Sequence, residues 1–310
     1  MNSILKSFFY RNFKTPGFWI QFAIFGVLGL AVGLIAFAIS RNAYNMYQQY
    51  PEYWYEAEYK AISFETVSLL AINGGVLSSY MTFPHIPLAV ALILFSIRFH
   101  AEYESGSMRN YIVSGYSRQQ AYRSLFVGFF IYSGLLYLSF ALTTVVVAAL
   151  GQLYWNFVDA ADFLRYLAVI GLSIVMFVAH YCFAFFINTA LAGRGFAGPL
   201  CILIYVGLCL IGLGMDIFVT LAYGMFSNPD KAEQAHRTVA LIQMFLPSGQ
   251  AGVLGSGILN RLPSSLLAYF SPEETDYTAF NVVVILLENA GIGVGSFFLG
   301  QTIIKRRDMK

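Results

Sequence analysis

The chain has 310 residues, of which 58% are hydrophobic and only 11% are charged. Soluble domains carry about 25% charged residues, so this composition excludes an ordinary soluble globular protein. The formal net charge is only +2 and the basic residues are scattered along the chain, which argues against nucleic-acid binding. We therefore interpret the chain as an integral membrane protein, in which spans of about 20 residues set the architecture.

Six apolar runs define the predicted architecture. Each run is free of Asp, Glu, Lys and Arg, except that the last contains Glu288. The first run follows basic residues, as in a signal peptide, but it is longer than the core of about 7 to 15 residues typical of such peptides, and we interpret it as a retained span. The sequence thus predicts one all-α membrane domain over 1–310 with six transmembrane helices, at 17–40, 66–97, 124–158, 166–193, 195–215 and 277–304.

The distribution of charge predicts the orientation of the spans. With six spans both termini lie on the same side of the membrane. If that side is the inner one, the inner segments hold two thirds of the 18 basic residues but only three of the 16 acidic residues. Because Lys and Arg accumulate on the cytoplasmic side of membrane proteins, we predict that both termini are cytoplasmic.

Three segments outside the spans have a character of their own. Residues 1–16 place their apolar side chains near one helical face, which predicts an amphipathic helix in the inner interface, interrupted at Pro16 and Gly17. Residues 41–65 are rich in Tyr and Glu, which predicts a segment on the outer interface. Residues 227–276 are apolar but broken by proline and glycine, which predicts two re-entrant helices in the outer leaflet and not a seventh span.

One polar segment of mixed charge, residues 98–123, lies between the second and third predicted spans. Each of its charged side chains would cost about 2.5 to 3.5 kcal/mol at the centre of a span, so the segment lies in water or against a partner protein. Two interpretations are open: a solvated loop whose charges only end the spans, or a docking surface for another protein. In both cases Gly106 and Gly115 are expected to bracket one or two short turns.

Sequence motifs of catalysis are missing from the chain. It has no GxxxxGK[ST], HExxH or GxSxG motif, and its one GxGxxG stretch, residues 193–198, lies at the junction of two predicted spans and not after a strand, as a dinucleotide-binding fingerprint requires. The four His and three Cys residues are spread apart, and none of them forms a cluster at metal-ligand spacing. We therefore predict no enzymatic activity, no cofactor and no metal site in this chain itself.

The order of these features resembles that of a type-2 ABC transporter permease, over essentially the whole chain. A basic amphipathic N-terminal helix precedes six spans, EYESGSMRNYIVSGYSRQQAYRS follows the second span, FLPSGQ precedes the last, and KRRDMK ends the chain. In that family the loop after the second span forms a coupling helix, which sits in a cleft of a separate ATP-hydrolysing subunit. The family motif starts acidic-aromatic-acidic and continues with SGT and GxSR, and Ser107 stands here in place of the Thr.

The resemblance implies which residues couple the chain to that ATPase. They are the residues at the positions of the family motif, namely Glu102, Tyr103, Glu104, Ser105, Gly106, Ser107, Arg109, Gly115, Ser117 and Arg118. ATP and Mg²⁺ are then expected in two partner ATPase subunits and not in this chain.

The resemblance also implies an assembly, a location and a cargo. Two permease subunits, identical or paired with a relative, would enclose a path through the lipid bilayer of a bacterial inner or plasma membrane. The small bacterial members of the family resemble exporters of antimicrobial peptides, toxins, drugs or lipids. We therefore expect export of an amphipathic or hydrophobic substrate, which the aromatic content of 17% also suits.

Polar residues in or near the predicted spans are further functional candidates. Glu288 lies about midway along the sixth span, where it faces a cavity or another span, or is a neutral packing residue. Asp216 lies near the outer surface, where an ordinary interfacial carboxylate is the alternative. His85 lies in the sequence TFPHIP, whose prolines predict a gate or cavity wall, or only a kink at the outer end of the span.

Glycines at helical spacing give weaker signals. Gly29 with Gly33 and Gly291 with Gly295 each permit another helix to approach closely. The sequence does not decide whether they serve packing within the subunit or between subunits.

Two functions of other classes compete with the ABC permease. An ion-gradient-driven secondary transporter needs ionisable groups near the membrane midplane, and Glu288 meets that requirement. A membrane immunity or scaffold protein that transports nothing would instead bind a peptide through the aromatic segment 41–65.

Overall fold

The computed structural model describes residues 3–49, 85–155, 160–192 and 279–306, with a few more helical residues between 199 and 242. In these ranges the chain forms helices and short turns, without a β-strand. The predicted all-α class is therefore confirmed for the described residues. The count of six spans remains a prediction, because much of the predicted second and fifth spans and the segment 227–276 lie outside these ranges.

Seven helices have defined bounds: α1 (Ser3–Phe13), α2 (Pro16–Gln49), α3 (His85–Glu104), α4 (Ser107–Val113), α5 (Arg118–Trp155), α6 (Ala160–Leu191) and α7 (Ala279–Arg306). Among the described residues, three stretches are long and apolar enough to cross a membrane, at Arg118–Thr143, Ile174–Leu191 and Val283–Arg306. The bent pair α1 and α2 supplies a fourth if it counts as one span. These helices are those expected of an α-helical membrane protein.

The N-terminal helix α1 meets α2 at a bend of 68°. Lys14 and Thr15 form the break, and Pro16 starts α2, where its missing N–H costs no helical hydrogen bond. Two side chains brace the bend: Thr15 Oγ1 donates to the Asn12 carbonyl at 2.9 Å, and Trp19 Nε1 donates to the Phe13 carbonyl at 2.9 Å. A separate N-terminal helix is confirmed, but its predicted interruption at Pro16 and Gly17 is wrong by two residues.

The helix α2 is longer than the first predicted span. It continues past Ser40, through Arg41, to Gln49. The start of the predicted outer segment 41–65 is therefore a continuation of the helix, because one charged residue ends an apolar run without ending the backbone hydrogen bonding. The rest of that segment, from Tyr50 onward, lies outside the described residues.

An aromatic core holds the helices together. The helix α2 packs along α5, α6 packs along α7, and α3 contacts both α5 and α6. The Phe95 ring of α3 lies at the centre, 5.3 Å between ring centroids from both Phe129 of α5 and Tyr181 of α6. Phe126 of α5 contacts Phe297 of α7 at 4.8 Å in an edge-to-face arrangement. Such pairs contribute about 0.5 to 1.5 kcal/mol each beyond their buried area.

Glycine packing differs between the two predicted pairs. A Cβ on Gly29 would overlap the Thr143 side chain and the Phe140 backbone of α5, so this glycine does permit a close helix approach. Gly291 and Gly295 have no described atom within 4 Å of such a Cβ. Within the chain, α7 is contacted at other glycines: Gly293 faces Ala179, and Gly300 faces the Tyr122 ring. The pair at 291 and 295 therefore does not pack against the described part of the chain, and a role between subunits stays a prediction.

Replacing Gly29 with Ala tests the α2–α5 contact. We expect a loss of about 1 to 3 kcal/mol, seen as a lower thermal unfolding temperature of the purified protein in detergent, because the new methyl group overlaps backbone atoms that cannot rotate away. Gly17→Ala is the matched control in the same helix, since its Cβ would meet nothing within 4 Å. Equal melting temperatures for the two variants would show that the contact is looser than described.

Candidate functional site

The predicted docking region forms a short helix between two left-handed glycines. We call residues 102–118 the docking segment; it comprises the end of α3, all of α4 and the first residue of α5. Gly106 has φ 71° and Gly115 has φ 90°, a backbone region that side chains with a Cβ rarely adopt. The seven-residue helix α4 lies between them. The prediction that these glycines bracket one or two short turns is confirmed.

The docking segment has an exposed face. Of the predicted coupling residues, Glu104, Ser105, Arg109, Gly115 and Ser117 are exposed, and the Glu104 side chain retains 66% of its accessible surface. Asn110 and Val113 share this face, although the sequence did not single them out. Val113 is 80% exposed, the largest exposed fraction among the large apolar side chains that the structure describes.

Three other predicted residues point inward. Glu102 retains only 13% of its side-chain surface, Ser107 is buried, and Tyr103 packs against the hydrophobic core. Glu102 and Glu104, which the motif treats alike, therefore occupy different environments. The exposed Glu104 pairs with His100 within α3, at 3.0 Å between Nε2 and Oε1.

Arg11 of α1 binds the inward-facing side chains. Its Nη2 lies 3.1 Å from Glu102 Oε2, its Nη1 donates to Ser107 Oγ at 2.7 Å, and it also donates to the Tyr111 hydroxyl. The neighbouring Asn12 is buried and donates to Glu102 Oε1 at 3.3 Å. The Glu102 carboxylate is thus held by two residues of the N-terminal helix.

Further contacts continue along α1. The Ser7 side chain faces the Tyr111 hydroxyl, and the Tyr116 hydroxyl hydrogen-bonds to Ser3 Oγ. Burial raises the pKa of Tyr111 above its ordinary value of 10.0, partly offset by the Arg11 guanidinium, so at neutral pH the group is a hydroxyl that can both accept and donate.

Ser117 and Arg118 have structural partners at the start of α5. Ser117 Oγ accepts from the Gln120 amide at 3.2 Å, and the Gln120 side chain accepts from the Ser117 amide at 3.0 Å. This reciprocal pair is a capping box, which explains a serine at this motif position. Arg118 Nη1 contacts the Lys305 carbonyl of α7 at 3.5 Å.

A second arginine of α5 also reaches α7. With its amide oxygen turned toward α5, Gln301 accepts from Arg123 Nη2 at 2.9 Å and Nε at 3.0 Å. The docking segment and the start of α5 are therefore joined to both ends of the chain, α1 and α7.

Of the three intramembrane candidates, the structure describes the side chain of Glu288. Glu288 is half-buried in α7, about 14 Å along the helix from Ala279 at 1.5 Å per residue. Asp216 lies outside the described residues, as does the side chain of His85, the residue at which the described part of α3 begins. In the described ranges, no three His, Cys, Asp or Glu side chains form a group suited to a metal ion.

The sequence reasoning missed the role of Ser3, Ser7 and Arg11. These residues are spaced four apart and form one stripe of α1, next to the buried stripe Ile4, Phe8 and Asn12. The spacing was a usable signal, because i, i+4 and i+8 share a helical face. Asn12 within the apolar stripe was a second signal, since a buried amide needs a partner.

Comparison with protein-family models, curated protein sequences and solved structures finds no match to this chain. The resemblance to a type-2 permease therefore rests on the order of the sequence motifs, and the site must be judged by its geometry.

The left-handed glycine at the start of α4 supplies a test of the docking segment. Gly106→Val should destabilise the protein by about 1 to 2 kcal/mol, since φ 71° is costly for an L side chain. A Cβ there meets no described atom within 4 Å, so crowding does not contribute. Gly106→Asn should recover part of the loss, because Asn tolerates this conformation. Thermal unfolding measures both; equal stability of the Val variant and wild type would contradict the assigned backbone.

Proposed function

We propose that the chain is the membrane-spanning permease subunit of an ATP-driven ABC exporter, and that the exposed face of the docking segment is the seat of a separate ATPase. The observation that carries this proposal is a short helix, α4, held between α3 and α5 with one face bound by α1 and the other exposed. A solvated loop that only ends two spans needs no such support.

The chemistry of the exposed face suits a protein cleft. Arg109 and Glu104 offer opposite charges, and Val113 offers an apolar side chain between polar neighbours. Interfaces bind most strongly where an apolar anchor enters a pocket surrounded by polar contacts. The matching cleft is expected to have an apolar pocket for Val113, an acidic group near Arg109 and a basic group near Glu104.

In this proposal ATP is hydrolysed by a protein separate from this chain. The chain has no GxxxxGK[ST] motif, so ATP binding and hydrolysis belong to a partner. Two permease subunits and two ATPases would form the working unit, with ATP and Mg²⁺ in the ATPases. ATP can change the packing of the membrane helices only if the ATP-bound partner binds one packing better than the other.

The proposed cargo is an amphipathic or hydrophobic molecule, such as a peptide, drug or lipid, moved out of a bacterial cell. The large aromatic content of the chain supports this choice. Apart from this, the proposed class of cargo rests on the resemblance to type-2 exporters.

One observation favours an ion-gradient-driven transporter as a second candidate. Glu288 is the one acidic residue within the candidate spans that the structure describes, and it is half-buried in α7. A carboxylate in hydrocarbon marks a proton or ion path in many transporters.

Replacing Glu288 with Gln distinguishes the two candidates. For the ABC exporter we expect ATP-dependent transport into inverted vesicles to remain near the wild-type rate, because the driving force enters at the docking segment. For the secondary transporter the same variant abolishes gradient-driven uptake. Transport without ATP, lost in the Gln variant, would favour the second candidate.

Variants of the exposed face test the docking proposal. The chain is coexpressed with a candidate P-loop ATPase, and copurification and ATP hydrolysis are measured. We expect Arg109→Glu and Val113→Asp each to weaken binding about tenfold or more, because each removes a contact and introduces a repelled or desolvated charge. Lys14→Glu is the matched control: it is also exposed and reverses a charge, but it lies in the break between α1 and α2. Undiminished copurification of both docking variants would refute this seat.

A further inference from the structure

The polar stripe of α1, defined as Ser3, Ser7 and Arg11, lies along the docking segment, and each of its three residues has a partner there. Ser3 meets Tyr116, Ser7 meets Tyr111, and Arg11 meets Tyr111, Ser107 and Glu102. The partners occur in the reverse order along the chain, so α1 and the docking segment run antiparallel beside each other. From this register we infer that Arg11 is a positioning residue, which holds α1 and the docking segment as one rigid body.

Arg11 is suited to this role by geometry. Its guanidinium contacts one residue at the end of α3 and two residues of α4. The left-handed Gly106 separates these two helices, and the chain could hinge there if nothing bridged it. A planar guanidinium with several fixed donors bridges such a joint better than an ammonium group, whose single charge has no fixed direction.

The rigid body is attached to the membrane helices on two sides. The Phe8 ring of α1 packs on Gly128 of α5, where any Cβ would clash with it, and lies 4.7 Å from the Phe129 ring. At its other end α1 enters α2 through the bend braced by Thr15 and Trp19. A displacement of α4 is therefore passed to α2 and α5 together, and not absorbed at Gly106.

The transfer of motion rests on the proposed function, since it needs a partner that pushes on α4. The rigid body itself does not, and it can be measured on the permease alone. This difference separates a failure of the inference from a failure of the docking proposal.

Spin-label distances measure the rigid body directly. The full-length protein in lipid nanodiscs carries labels at Lys6→Cys and Asn110→Cys, two exposed positions on α1 and α4, after Cys182, Cys201 and Cys209 are replaced by Ala. We expect a narrow distance distribution in this background and a broad one after Arg11→Ala. Lys14→Ala is the matched control, since it removes a neighbouring positive charge with no partner contact in the docking segment among the described bonds, and it should leave the distribution narrow.

A charge swap distinguishes positioning from general destabilisation. Glu102→Arg alone should broaden the distribution, and Arg11→Glu combined with Glu102→Arg should narrow it again, because the ion pair is restored with its direction reversed. Tyr111→Phe, which removes one acceptor and changes little else, should give an intermediate width even if Arg11→Ala does not fold. An Arg11→Ala distribution identical to wild type, or a swap that stays as broad as Glu102→Arg alone, overturns the inference.

A second measurement addresses the transfer of motion. With the P-loop partner bound, Arg11→Ala should keep copurification, because the exposed face of α4 is unchanged, while transport per ATP hydrolysed falls about tenfold, since a charge-assisted contact is lost at the joint. If the distances show the rigid body but no P-loop protein binds, the docking proposal fails and the rigid body stands. If Arg11→Ala broadens the distances and transport per ATP is unchanged, the transfer through α1 is refuted.

Discussion

The guanidinium of Arg11 is the constraint on which the arrangement of α1, α3 and α4 depends. It faces a Glu102 carboxylate that retains only 13% of its surface, and a carboxylate removed from water needs a partner for its charge. Ser107, Tyr111 and Asn12 complete the set of hydrogen bonds around this pair. Since removing one partner of a shielded pair leaves the other uncompensated, the pair fixes α1 against α3 and α4 more firmly than its net stabilisation suggests.

Two kinds of packing divide the described structure between them. Deeper in the helices, rings such as Phe95, Phe129 and Tyr181 interlock, and glycines such as Gly29 let backbones approach closely. Around the docking segment, directed polar contacts take over and join α1, α3, α4, α5 and α7. Aromatic contacts have many near-equivalent arrangements, whereas a guanidinium with three partners has few. The polar end therefore has one defined geometry, which is what a surface that receives another protein requires.

The motif residues fall into two groups with different roles. Glu102, Ser107 and Ser117 are occupied within the chain, by Arg11 and by the cap of α5, whereas Glu104 and Arg109 remain exposed. A motif is often treated as one surface. Here some of its residues hold the segment in place through contacts within the chain, and others form its exposed face. The residues at its start illustrate this: two glutamates only two positions apart face opposite directions because α3 turns by about 200° between them.

The sequence by itself determined the membrane class, the all-helical structure, the N-terminal helix and the two glycines around α4, because hydropathy, charge and left-handed glycine act locally along the chain. It could not place the end of α2. A charged residue is enough to end an apolar run, whereas a helix ends only where its backbone hydrogen bonding stops. Only the tertiary structure decided that Arg11 pairs with Glu102 and Ser107, residues about 90 to 100 positions away. Helical periodicity shows which side chains share a face of α1, but the partner of that face is set by how distant helices pack.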